Sequence, residues 1–356
     1  MVSRVIAIDG PAASGKSSVA SRVADYFGIP YISTGSMYRA IAYVASGEGV
    51  DCGNASAELL KPVLNKLKMS YVATANGMQL CVNGKFPTSE LRSEKVAALT
   101  SVIAAIPEVR IWLSVKQREL AGAGWIVMEG RDIGSEIFPD AAMKFYLTAS
   151  PWVRAKRRMA QKGETVSGAT LEEVAEAISA RDRQDSQRKV SPLKIADGAT
   201  VIDSSDFELD ETVGVFIKLI SRHCCEYRVP YADTDQMGVV YYANYLEYFE
   251  RGRTEMLRSV GFSYRDMEKM GVFMPVAEAT CHYYAPARYD DLLTIHSWII
   301  SARGARMVIG SEIYCGDKLL VKGSVTLGCI DGSRKLVRLP ENLIKACSIY
   351  LEREEK

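Results

Sequence analysis

The chain has 356 residues, 48% of them hydrophobic and 24% charged, with a net charge of +1. That length exceeds what one hydrophobic core usually organises, so two domains are expected. The near-zero net charge excludes a protein that holds nucleic acid or an anionic membrane by bulk positive charge. No apolar run approaches the roughly 20 residues of a membrane span, and Met1-Val2-Ser3-Arg4 enters a core strand at once, which points to a cytoplasmic protein. The eight cysteines are scattered, without a C-x-x-C pair or clustered histidines. No zinc site is therefore expected, and most of the thiols read as reduced core residues.

The first element is the apolar strand Val5-Ile6-Ala7-Ile8-Asp9. It runs into Gly10-Pro11-Ala12-Ala13-Ser14-Gly15-Lys16-Ser17 and then into a helix pattern from Ser18. The string G-x-x-x-x-G-K-[ST] between a strand and a helix is a phosphate-binding loop in its proper setting. Glycine lets backbone N–H groups approach a polyphosphate, and a helix start adds the positive end of its dipole. Residues 10–18 thus read as the ATP site, with Lys16 reaching the β- and γ-phosphates and the Ser17 hydroxyl holding Mg2+.

Next come a short strand, a Gly-containing turn and a helix beginning near Met37, a second helix start able to hold a second phosphate. The strings I-A-I-D-G-P-A-A-S-G-K-S and T-G-S-M-Y-R together resemble the bacterial cytidylate kinases, which move the γ-phosphoryl of ATP onto CMP or dCMP. The resemblance covers residues 1–222. It implies an α/β P-loop kinase, a parallel sheet flanked by helices with a nucleoside-monophosphate-binding insert. Residues 68–85 read independently as a small antiparallel ribbon, since Asn76-Gly77 and Asn83-Gly84 are both two-residue hairpin signals. Ala13 stands where the family commonly has Gly, which requires φ to stay negative there.

The resemblance also implies an acceptor site. Thr34 and Arg39 belong to it, Ser101 and Arg110 face the cytosine ring, and Arg131 clamps the acceptor phosphate. Asp132 accepts from the cytosine amino group. Arg181 and Asp185 meet the ribose hydroxyls, and Arg188 lies near the nucleotide, from the pattern R-D-x-x-D-x-x-R. Taken alone, Arg110 is an ordinary solvated helix residue, and Asp185 with Arg188 an ordinary surface ion pair. Glu129, ending the buried run Trp125-Ile126-Val127-Met128, replaces the family's usual Asp and leaves its role open. The helix from Pro151 carries Arg154, Arg157 and Arg158 on one side at i, i+3 and i+4. These resemble the family's lid, which adds positive charge where negative charge develops in transfer. A strand at 200–203 and a helix at about 209–221 complete this half.

From Cys224 the pattern changes, without a Gly/Ser- or Pro-rich spacer. A strand at 226–231 leads into Ala232-Asp233-Thr234-Asp235-Gln236-Met237-Gly238-Val239-Val240-Tyr241-Tyr242-Ala243-Asn244-Tyr245. A long helix follows to about residue 259, with Leu246, Phe249, Met256, Leu257 and Val260 as its apolar stripe. Four extended runs come next, near 275–285, 292–302, 305–315 and 318–330, several alternating polar and apolar residues. One long helix wrapped by an antiparallel sheet is the α+β hotdog shape. The motif T-D-Q-M-G-V-V-Y-Y-A-N-Y with Tyr284-Ala285-Pro286-Ala287-Arg288-Tyr289-Asp290-Asp291 resembles the 4-hydroxybenzoyl-CoA thioesterase family, over residues 224–345. The domains are set at 1–222 and 223–356.

Thioester hydrolysis needs a nucleophile or a base for water, and donors for the developing oxyanion. This half has no Gly-x-Ser-x-Gly elbow and no Cys–His pair, so a carboxylate is the available agent. The resemblance puts Asp235 in the catalytic position, as nucleophile or as base, and the Tyr242 backbone N–H at the start of the long helix as oxyanion donor. Asp233 reads as structural, and His282 and His296 as packing residues. The resemblance further implies an acyl-CoA substrate and a homodimer or homotetramer. Three functions stay open: a bifunctional enzyme, a kinase fused to a dimerisation or acyl-carrier-binding module, and a P-loop switch.

Overall fold

The computed structural model describes residues 3–74, 77–122, 124–161, 168–188 and 190–353. The chain forms two compact units, Ser3–Gly214 and Val215–Lys356. The elements of the first half are β1 (Ser3–Asp9), α1 (Lys16–Phe27), β2 (Tyr31–Ser33), α2 (Thr34–Gly47), α3 (Ala57–Lys66), β3 (Met69–Thr74), β4 (Gly77–Val82), α4 (Glu94–Ile103), α5 (Pro107–Leu120), β5 (Ile126–Gly130), β6 (Ala141–Thr148), α6 (Pro151–Met159), α7 (Leu171–Ser186), β7 (Thr200–Asp203) and α8 (Leu209–Ser221).

Five strands form a parallel sheet in the order β2-β5-β1-β6-β7. Helices cover both faces of such a sheet, so its central strands read as continuous apolar runs. Accordingly Val5, Ile6, Ala7 and Ile8 are all buried, as is every residue of β5. β1 lies between β5 and β6, with Asp9 opposite Gly130, so the loops leaving β1 and β5 emerge side by side. In open α/β sheets this is where ligands bind.

Local chemistry sets the helix ends. α1 stops at Gly28, whose φ of +60° lets the chain turn back while the Ile29 N–H caps the Ala24 carbonyl at 3.0 Å. α2 starts at Thr34 rather than near Met37, because the Ser33 side chain accepts from the Ser36 N–H and nucleates the turn earlier. The ribbon is present as β3 paired with β4. At Asn83-Gly84 both residues have positive φ, while Val82 and Lys85 exchange both backbone hydrogen bonds across the turn. Asn76 of the other hairpin signal lies outside the described residues. Among the described residues no single helix is long and apolar enough to cross a membrane.

The second half contains β8 (His223–Arg228), α9 (Asn244–Ser259), α10 (Tyr264–Lys269), β9 (Val276–Tyr283), β10 (Leu292–Arg303), β11 (Arg306–Cys315), β12 (Lys318–Gly328) and α11 (Glu341–Cys347). The sheet is antiparallel in the order β8-β10-β11-β12-β9. α9 lies on it closely enough that a Cβ on Gly252 would sit 2.5 Å from Ser297 Oγ, so only glycine fits there. The buried face of α9 is Tyr245, Tyr248, Phe249, Gly252, Arg253, Met256 and Leu257. Leu246 departs from the expected stripe and is 40% exposed, since one residue after Tyr245 it points about 100° away round the helix. The thiols also differ from expectation. All eight are free, but only Cys329 and Cys347 are buried, and Cys224 is exposed because the residues of β8 alternate sides. His282 is exposed, whereas His296 is half-buried against the Tyr314 ring.

Candidate active sites

α1 begins at Lys16 with Gly15 as its cap at φ +90°, without a capping side chain and without an acidic residue in the first turn. Its first N–H groups are left for an anion. Gly10 is required by closeness, since a Cβ there would lie 2.1 Å from the Leu147 carbonyl oxygen. Ala13 does not keep the expected negative φ. The loop turns through it at φ +57°, a left-handed conformation costing an alanine about 1 kcal/mol. Its methyl packs on the cluster of Ala12, Ala155, Val174 and Ile178, which helps hold it there. Lys16 is 7% exposed and its Nζ donates to the Pro11 carbonyl at 3.0 Å. Burial, reinforced by the Arg131 charge, pushes its ammonium down to about 7. The buried Ser14 hydroxyl has no partner among the described residues.

The Ser17 hydroxyl donates to Glu129 Oε1 at 3.2 Å, while Ser18 is exposed one position on. Glu129 is 4% exposed, and the same oxygen also receives Ser33 Oγ at 2.7 Å. The strand end that left its role open thus delivers a buried carboxylate to the hydroxyl expected to hold a cation.

The arginines of α6, which share one side of that helix by their spacing, brace this loop. Arg154 is buried and donates to the carbonyls of Ala12 (3.1 Å) and Ala149 (2.9 Å), and it pairs with Asp182. Asp182 in turn receives the Ala12 N–H at 2.9 Å, so both backbone polar groups of Ala12 are held. Arg157 donates to the Ser14 carbonyl at 3.2 Å and to Ser204. Arg158 is half-buried beside Arg181. The chain that follows α6 at 162–167 lies outside the described residues.

Across the switch point, Arg131 Nη1 donates to the Gly10 carbonyl at 2.8 Å and its Nε to Asp185 at 3.0 Å. Asp185, 2% exposed, also pairs with Arg188. Arg110 Nη2 meets Asp132 Oδ2 at 2.7 Å, both side chains nearly buried, and the guanidinium stands 5.6 Å over the Tyr38 ring. Burial raises the Asp132 carboxyl, with Arg110 opposing it. Thr34 Oγ1 donates to the Glu129 carbonyl at 2.9 Å, and Arg39 to the Leu91 carbonyl at 3.2 Å. Burial, with Arg131, Arg158 and Arg39 crowding it, lowers Arg181 to about 10. Positive groups outnumber carboxylates here, which suits a polyanion. Ser101 is half-buried on α4 and makes no hydrogen bond to this network among the described residues.

Two residues were missed by sequence reasoning. Asp9 receives the N–H groups of Ile133 and Gly134, each at 2.8 Å, and so sets the direction of Arg131 and Asp132; burial pushes it up to about 7. Its signal was a carboxylate closing an otherwise apolar strand. Asp182 lay inside the quoted R-D-x-x-D-x-x-R pattern without a role.

In the second unit Asp235 begins a tight turn. Its N–H donates to Val239 and its carbonyl receives Gly238, both at 2.9 Å, while Oδ1 receives the Met237 N–H at 2.8 Å. The chain then returns antiparallel, with Thr234 paired to Val240. The long helix starts at Asn244, two residues later than expected, because the Asn244 N–H closes a turn onto the Tyr241 carbonyl at 2.9 Å. Tyr242 therefore precedes the helix, and its N–H has no hydrogen-bond partner among the described residues. Asp233 sits behind the turn, with Oδ2 receiving the hydroxyls of Tyr227 (3.0 Å) and Tyr248 (2.7 Å). Glu250 is an exposed helix residue paired with Arg253 at 3.6 Å.

The cytidylate kinase family model matches residues 6–222, and the thioesterase-like superfamily model matches residues 229–347. The cytidylate kinase of Lactiplantibacillus plantarum is 41% identical over 217 residues, 61% of this chain and 94% of that protein. That of Clostridium tetani is 40% identical over 216 residues, 61% and 93% of the two chains. Among solved structures, a probable thioesterase from Bartonella henselae is 40% identical, covering 33% of this chain and 99% of its own with a TM-score of 0.33. The chain belongs to the cytidylate kinase family and carries, behind the kinase in the same polypeptide, a thioesterase-like hotdog domain.

Proposed function

We propose that the first unit transfers the γ-phosphoryl of ATP to CMP or dCMP and that the second hydrolyses an acyl-CoA thioester. The observation that carries the kinase reading is the meeting of an anion-ready helix start with Lys16, Arg39, Arg131, Arg158 and Arg181 at the switch point. Ser17 and Glu129 offer oxygen donors only, which fits Mg2+. That ion would supply charge neutralisation across the β- and γ-phosphates. Lys16 regains its proton against the triphosphate, while Arg131 clamps the acceptor phosphate, Arg181 and Asp185 meet the ribose hydroxyls and Arg188 lies near the acceptor nucleotide. Asp132, steadied by Arg110, accepts the cytosine amino group. Uracil presents an oxygen there, leaving a buried acceptor unpaired and favouring the cytosine nucleotide.

The thioesterase reading is supported by the family match over 229–347 and by the Tyr242 N–H, which has no hydrogen-bond partner among the described residues and follows the Asp235 turn in the chain. Asp235 acts as nucleophile or base and the Tyr242 N–H stabilises the oxyanion. Among the described residues β9 is paired only to β12, and nearly all its residues are exposed, Val276 at 52% and Tyr283 at 49% among them. Such an edge supports assembly with a second copy. One assay tests both halves: ADP release with CMP, and thiol release from a graded acyl-CoA panel. Lys16→Ala should abolish only the first and Asp235→Ala only the second. Thiol release undiminished in Asp235→Ala would refute the assignment of the second site.

A further inference from the structure

Two aspartates lie two residues apart at the second site, and their surroundings differ. Asp235 stands at the mouth of a turn, and its only partner among the described residues through the side chain is the Met237 N–H. Asp233 is tied on every side. Its Oδ2 receives Tyr227 from β8 and Tyr248 from α9, and its backbone carbonyl receives the Tyr241 N–H at 2.9 Å and Asn244 Nδ2 at 3.0 Å. One residue thereby joins a sheet strand, the return strand of the Asp235 turn and the first residue of the long helix. Tyr242, whose N–H has no partner among the described residues, sits between two of those attachment points, and Tyr283 OH donates to its carbonyl at 3.1 Å.

We infer that Asp233 is a positioning residue for thioester cleavage: it sets where the Asp235 carboxylate stands relative to the Tyr242 N–H. This rests on the thioesterase reading of the site. An oxygen already receiving two hydroxyls is a poor nucleophile, so the chemistry is left to Asp235. What Asp233 supplies is geometry. A nucleophile and an oxyanion donor on opposite ends of a seven-residue excursion keep their spacing only if the excursion is pinned. A misplacement of about 1 Å costs about 100-fold in rate.

The test uses the full chain and thiol release from acetyl-, butyryl-, hexanoyl-, palmitoyl- and benzoyl-CoA, with CMP phosphorylation as an internal control of chain concentration and Trp298 fluorescence as the control of folding in the second unit. Asp233→Ala should lower kcat about 100-fold with KM within about threefold, as should the double variant Tyr227→Phe with Tyr248→Phe. Asp233→Asn, which keeps an acceptor oxygen for the two hydroxyls, should recover to within about fivefold of the parent. A merely structural role would lower the amount of active protein equally in all variants and would not separate Asn from Ala. Full kcat in Asp233→Ala, or an Asn variant as slow as Ala, overturns the inference while leaving the thioesterase reading intact. If the parent chain releases thiol from none of the five, the thioesterase reading fails and the inference with it.

Discussion

Lys16 offers the sharpest test of the phosphate site. Its ammonium is displaced from an ordinary 10.5 to about 7 by burial beneath the P-loop and by the Arg131 charge. That displacement corresponds to about 5 kcal/mol against carrying the charge. At pH 8 the free protein then holds a proton on Lys16 in only about one molecule in ten. A bound triphosphate places oxyanions against Nζ and restores the ordinary state, so each binding event should take up about 0.9 proton. Asp9, pushed up to about 7, is already mostly ionised at pH 8 and offsets this by about 0.1 proton at most. Titrating the chain calorimetrically with Mg·ATP at pH 8, in two buffers of different ionisation enthalpy, reads the uptake as the slope of apparent heat against buffer enthalpy. The slope should vanish in Lys16→Met, provided that variant still binds nucleotide. A parent slope of zero would refute the burial argument, because it would mean that Lys16 is charged before the nucleotide arrives.

Three further outcomes follow from the same contacts. Arg110→Met leaves the buried Asp132 carboxylate unpaired and should cost about 3–5 kcal/mol in urea unfolding, whereas adding Asp132→Asn should recover most of that stability without restoring the preference for CMP over UMP. Ala13→Gly removes the left-handed strain and should raise the melting temperature of the kinase unit by about 2–4 °C, while a decrease would show that the packed methyl outweighs the backbone. His223 is held at about 4 by burial, with Nδ1 lacking a partner among the described residues. The unfolded chain therefore binds this proton first, and stability falls as pH drops from about 6.5 to 4, by about 2 kcal/mol at pH 5. Trp298 fluorescence, with Trp112, Trp125 and Trp152 changed to Phe, should report that slope, and His223→Gln should flatten it.

Sequence alone determined the parts whose signals are local. A strand, a glycine loop and a helix start are adjacent in the chain, so the P-loop and its Lys16 were legible. So were the hairpin turn at Asn83-Gly84 and the extended runs that became β10, β11 and β12. The partners of the charges were not legible, since burial and pairing join residues far apart in sequence. Arg154 reads as one face of a basic helix, yet it braces Ala12 142 residues away, and Glu129 gained a role only when β5 was laid beside β1. The sign of φ at Ala13 and the hydrogen-bond partners of Asp233 belong to the same class. Each is set by what the fold packs against the residue, and no spacing along the chain encodes that.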